Sequence, residues 1–99
     1  MGRKRSEIIP QSTFKVMKHF IGLDYEKPKK GIYTAYRNRW NGGADPDIAF
    51  LLRHRYAESY APNWYRLTVE GIRALETLID IKIRFRDRED EPEGWREKA

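Results

Sequence analysis

Residues 63–79, NWYRLTVEGIRALETLI, constrain what this chain can fold into more than any other stretch. Trp64, Tyr65, Arg66 and Leu67 have the aromatic and apolar content that suits a pleated, half-buried strand. Thr68 follows, and its hydroxyl can accept an orphan amide of a helix that starts directly after it. Val69, Ile72, Leu75 and Ile79 then fall at three- and four-residue steps, with Leu78 beside them, while Arg73, Glu76 and Asp80 face away. The segment therefore predicts a strand, a helix cap and an amphipathic helix ending near Asp80.

Elements upstream must supply the surface on which that unit packs. Residues 12–23 predict a first helix, capped by Ser12 or Thr13 and stopped at Gly22, with Phe14, Met17, Phe20 and Ile21 on one apolar face. Asp45 and Pro46 have the chemistry of an N-cap and a first helical position, so a second helix is expected from there to about His54. Its inward residues are Ile48, Leu51 and Leu52. Residues 56–67, YAESYAPNWYRL, predict a hairpin turning at Pro62 and Asn63. Residues 31–40, GIYTAYRNRW, admit two readings. As a strand they put Ile32, Thr34, Tyr36, Asn38 and Trp40 on one face; as a helix they group Tyr33, Tyr36 and Trp40. Aromatic and β-branched content favours the extended form. Residues 80–86, DIKIRFR, alternate apolar and charged side chains, the pattern of a C-terminal strand that needs a sheet edge in its own chain or a second copy. That edge, with the outer face of the closing helix, is the ground for expecting a homodimer. The organisation expected is a flexible basic arm over residues 1–11, one domain over residues 12–86 and a charged, disordered tail over residues 87–99.

The 99 residues carry a formal charge of +5. Residues 1–80 hold 14 Lys and Arg against 9 Asp and Glu, whereas residues 81–99 hold 6 of each, so the basic excess belongs to the body. An anionic partner such as duplex DNA fits that balance. The basic residues form clusters: Arg3, Lys4 and Arg5; Lys27, Lys29 and Lys30; Arg37 and Arg39; Arg53 and Arg55. These ten are the candidate contacts for nucleic acid or another partner. Arg37 and Arg39 alternate with Tyr36 and Trp40, a mixture that suits phosphate pairing together with base stacking.

Other chemistries find little support in the residues. There is no cysteine, hence no disulfide framework and no thiolate metal site, which fits a cytoplasmic protein. No apolar run is long enough to span a bilayer, and no apolar stretch follows Arg3, Lys4 and Arg5 as a signal peptide would require. His19 and His54 stand in no metal-ligand spacing. Asp45, Asp47 and Glu58 form a conceivable Mg²⁺ set, but acids at a helix start are ordinarily capping and dipole-favourable residues. No cofactor loop and no catalytic constellation stands out, so neither cofactor nor catalysis is expected.

The pattern Y-x-L-T-x-x-G-x-x-x-L, here Tyr65, Leu67, Thr68, Gly71 and Leu75, resembles the end of the second wing strand and the closing helix of bacterial winged-helix proteins. The string Tyr36-Arg37-Asn38-Arg39-Trp40 is similar to an aromatic-Arg-Asn-aromatic string of small, largely uncharacterised phage-encoded proteins, with Arg39 as one extra residue. The resemblance implies a small α+β, winged-helix-like domain, with two or three helices on a short hairpin. It also implies a non-catalytic DNA-binding or phage accessory protein. In that fold the second helix would be the recognition helix, although Asp45 and Asp47 at its start would repel phosphates. The alternative implied is a protein-interaction module, such as a phage protein that binds or inhibits a host protein or defence complex.

Overall fold

In a computed structural model, which describes residues 8–43 and 45–98, the chain forms a small α+β domain. The elements run α1 (Gln11–Phe20), β1 (Ile32–Ala35), β2 (Trp40–Asn41), α2 (Pro46–Arg53), β3 (Ala57–Ala61), β4 (Trp64–Leu67), α3 (Val69–Ile79) and β5 (Lys82–Phe85). A 3₁₀ turn (Arg88–Asp90) and a short α4 (Trp95–Lys98) follow. Two sheets share one core: β1 and β5 pair in parallel, and β2, β4 and β3 form an antiparallel sheet in that spatial order.

The local signals that predicted α2, the hairpin and α3 have their expected chemistry. The Asp45 carboxylate accepts from the Ile48 amide at 2.9 Å, and Pro46 opens α2. The Thr68 hydroxyl accepts from the Gly71 amide at 3.1 Å and itself donates to the Arg55 carbonyl at 2.7 Å, so the cap also ties α3 to the end of α2. Ile48, Leu51, Leu67, Ile72 and Leu75 are fully buried with Met17 and Phe20 of α1 and Ile21 just after it. Gly71 has a packing reason: a Cβ there would overlap the Tyr56 carbonyl oxygen, which already accepts from the Thr68 amide at 3.0 Å.

Several expectations are corrected. Neither Ser12 nor Thr13 caps α1, whose N-cap is Pro10 without a side-chain cap bond. Both hydroxyls instead donate to Asp47 Oδ1, each at 2.8 Å. One carboxylate thereby serves the first turns of α1 and α2, where both helix dipoles favour negative charge. In β1 the alternation left the inward face open, and it is Tyr33 and Ala35 that are buried while Thr34 is exposed. Tyr33 can go inward because its hydroxyl donates to the Ile21 carbonyl at 2.8 Å, whereas an unpartnered phenol would not. Arg73 and Glu76 do not simply face solvent. Arg73 bonds Glu76 at 2.9 Å, and Glu76 Oε2 accepts from the Ile83 amide at 2.8 Å, fastening α3 to β5.

The strand predicted at 80–86 is β5, and it pairs in register with β1 of its own chain, Ile32 opposite Lys82 through Ala35 opposite Phe85. The feature that motivated a homodimer is thus used internally on one edge. Nor is the stretch after residue 86 a solvated tail. Trp95 is 9% exposed, packs edge-on against Phe85 at 5.2 Å between centroids and lies under the Arg73 guanidinium at 4.3 Å. Pro92 is buried as well. A charged sequence hid this because its two anchors are single residues among acids and bases.

Candidate nucleic-acid interface

Arg37, Asn38 and Arg39 sit in the irregular segment between β1 and β2, and each has a different job. Asn38 is buried: its Oδ1 accepts from the Leu67 amide at 2.9 Å, and its Nδ2 donates to the Leu67 carbonyl at 3.1 Å and the Asp90 carbonyl at 3.2 Å. Arg37 donates through Nε and Nη2 to the His19 carbonyl, at 3.2 and 2.6 Å, and so closes the C-terminal end of α1 with a cation. Its guanidinium also lies 5.4 Å from the ring centroids of Tyr25 and Tyr36. The Arg39 amide bonds the Phe20 carbonyl at 3.0 Å, which leaves the side chain exposed at the rim.

These residues open onto a cleft of about 260 Å³ bounded by His19, Arg37, Arg39, Trp40, Asn41 and Trp64. Trp40 stacks on Phe20 at 5.8 Å and receives His19 at its side at 5.2 Å. His19 is held in turn by Asp24, with Nδ1 2.8 Å from Oδ2. A neighbouring hollow bounded by Lys15, Val16 and Asp24 shares His19 and Trp40 with the cleft. His54 is an aromatic packing element, between Phe50 at 4.3 Å and Tyr56 at 5.9 Å.

A second groove, of about 300 Å³, is lined by Lys27, Lys29, Lys30, Thr34 and Arg84, with Glu26 as its acid. The lysines are held in a tight hairpin: Lys29 and Ile32 exchange backbone bonds at 2.8 and 3.0 Å, and Lys30 and Gly31 take φ of 56° and 77°. Positive φ at both central residues is what a type I′ hairpin turn demands. Away from this groove, Arg37 and Arg86 both lie over the Tyr36 ring, at 5.4 and 5.8 Å.

Among the predicted contacts, Lys27, Lys29 and Lys30 are therefore brought together in one groove, and Arg37 and Arg39 in the other. Arg53 and Arg55 line neither: Arg53 lies over Phe50 at 5.8 Å, and Arg55 takes φ 60° at the turn out of α2. Arg3, Lys4 and Arg5 lie outside the described residues. Asp45 and Asp47, expected to repel phosphates, are both occupied by hydrogen bonds within the fold. Sequence reasoning missed Lys82, Arg84 and Arg86, which alternate along one exposed side of β5 and just beyond it. The signal was present in DIKIRFR, but counting charge over residues 81–99 as a block cancelled these cations against the acids that follow.

Two ionisable groups of the domain are shifted by their surroundings. Burial holds the Asp90 carboxyl above its ordinary range, with Glu89 and Asp87 adding to the shift and Arg39 and Arg86 opposing it. The Tyr33 phenol is likewise pushed above its ordinary value, chiefly by burial and then by Glu26. Among the described residues no group of His, Asp or Glu side chains is placed to hold a metal ion, and no helix is long and apolar enough to cross a membrane. The chain matches no protein-family model, no curated protein and no solved structure.

Proposed function

We propose that this chain is a small non-catalytic nucleic-acid-binding module of winged-helix type, acting on DNA through its basic surface. The observation that carries the reading is a pair of cation-lined grooves. Lys27, Lys29, Lys30 and Arg84 line one, and Arg37 and Arg39 line the other beside Trp40 and Trp64. Cations spaced along a groove neutralise phosphates whatever the base sequence. The winged-helix reading is supported by the hairpin β3–β4, which follows α2 directly, and by β2, which adds to β4 as a third strand. Base reading by α2 plays little part in this proposal, because its first turn presents Asp47, already bonded to α1, and its arginines lie at its far end.

Fluorescence anisotropy with labelled duplex DNA at about 50 mM salt tests the proposal. Four to six phosphate contacts give a log–log salt slope of about −4 to −5. Arg39→Ala should weaken binding of every duplex alike and flatten the slope by about one. Absence of binding at tens of micromolar protein would remove the DNA reading and leave a basic surface suited to an acidic protein partner.

A further inference from the structure

The outer face of the β2-β4-β3 sheet carries aromatic surface that the core does not use. Trp64 is 36% exposed and Tyr60 is 46% exposed, with centroids 6.5 Å apart. Tyr60 lies where the β3–β4 register shifts between Ser59 and Ala61. Such a bulge re-aims a side chain rather than burying it. The Arg66 guanidinium lies 5.6 Å from the Tyr60 ring and is held there by Glu58 at 2.8 Å. Asn41 is opposite Trp64 across the β2–β4 pair and so shares its face, and Arg39, two residues earlier, borders the same cleft. Trp40, opposite Tyr65, belongs to the other face of the sheet, where Phe20 backs it and His19 braces it, and it reaches the same cleft at the sheet edge.

We infer that this face and the cleft at its edge bind unpaired nucleotides: one base stacks on Trp64, a neighbouring base enters the cleft against Trp40, and the phosphate between them meets Arg39. The inference rests on the nucleic-acid reading above and adds to it the state of the bases. A duplex keeps its base faces stacked on one another and offers none to a tryptophan. A single strand offers a π-face at every position, and aromatic platforms beside cations are the usual means of holding it. The backing of Trp40 matters because a ring already fixed by Phe20 and His19 loses little freedom when a base lands on it. The separate basic groove at Lys27, Lys29, Lys30 and Arg84 offers further phosphate contacts.

The test is anisotropy with three labelled probes of about 12 nucleotides or base pairs: oligo-dT, oligo-rU and a duplex. Trp64→Ala should weaken single-strand binding about tenfold or more, and Trp64→Phe, which keeps a π-face, by much less. Neither should move duplex affinity by more than about twofold, since phosphate contacts are untouched. Whichever of oligo-dT and oligo-rU responds to Trp64 identifies the polymer as DNA or RNA. If Trp64→Ala lowers the melting temperature, Trp64→Leu keeps apolar cover on the sheet without a stacking face and should show the same loss. Single-strand affinity unchanged in both variants, or reduced no more than duplex affinity, overturns the inference. Salt-sensitive duplex binding with no single-strand response to Trp64 sinks this inference alone. Binding of none of the three probes sinks the nucleic-acid reading with it.

Discussion

Asn38 replaces a backbone partner where β2 is too short to provide one. Strand β2 pairs with β4 only at Trp40 and Asn41, opposite Tyr65 and Trp64, so Leu67 at the far end of β4 has no β2 neighbour. The Asn38 amide group satisfies both the N–H and the C=O of Leu67, and reaches the Asp90 carbonyl as well. Asn38→Ala leaves those buried groups without partners and should cost about 2–4 kcal/mol by chemical denaturation. A cost no larger than that of an exposed Asn→Ala change would mean that solvent reaches Leu67. Asp90 provides a pH-dependent counterpart. Its carboxyl is held above the ordinary range, first by burial. The stabilisation linked to its protonated form is therefore complete below the unfolded pKa of about 3.9 and is lost as pH rises through the higher folded value. Asp90→Asn, which is neutral throughout, should melt higher than the parent at pH 7, and the difference should vanish near pH 3. Equal melting temperatures at pH 7 would show that Arg39 and Arg86 already offset the burial.

The helix α3 is set by contacts at its two ends. At the N-terminal end the Thr68 cap and the close approach of the Tyr56 carbonyl leave room only for glycine at position 71. Helix propensity alone favours Gly71→Ala by about 1 kcal/mol. The overlap with a backbone carbonyl opposes it, and overpacking of this kind costs about 1–3 kcal/mol, so the variant should unfold at lower denaturant than the parent. A gain in stability would show that the hairpin yields easily at Tyr56. At the C-terminal end Asp80 takes φ 56° and ψ 48°, its amide bonds the Glu76 carbonyl, and the Ile81 amide returns to the same carbonyl at 3.3 Å. The chain thus reverses within two residues and delivers β5 beside β1, with the Glu76 carboxylate receiving the Ile83 amide.

Over the whole molecule, the two sheets are held in one body by groups that cross between them. Asn38 joins the β1–β2 connection to β4 and to the 3₁₀ turn, and Trp95 covers the β5 and α3 surfaces from outside. Trp95→Ala should lower stability by about 2–3 kcal/mol, the scale of fully burying a large apolar side chain. Thermal unfolding followed by circular dichroism would measure it, and an unchanged midpoint would return residues 87–99 to the status of a solvated tail. The two cation-lined grooves belong to the same scale. Lys27, Lys29 and Lys30 come from the loop before β1, Arg84 from β5, Arg37 and Arg39 from the connection, and Trp64 from β4. No one segment contains both grooves.

By itself the sequence determined the features whose physics is local. The Asp45 and Thr68 caps, the proline that opens α2, the turn at Pro62 and Asn63 and the spacing of Ile72 and Leu75 each depend on residues within a turn or two of one another. The charge clusters at Lys27–Lys30 and at Arg37 and Arg39 were legible for the same reason. Only the tertiary structure decided which face of β1 goes inward. A period-two pattern has no sign, and the choice fell to the hydroxyl of Tyr33 finding the Ile21 carbonyl. It alone decided that Ser12 and Thr13 serve Asp47, that Arg37 closes α1, and that Trp95 is packed, because their partners lie far along the chain or in another element. It alone joined the basic residues of β5 to the lysine loop, since pairing Thr34 with Arg84 brings together side chains 50 residues apart in the chain.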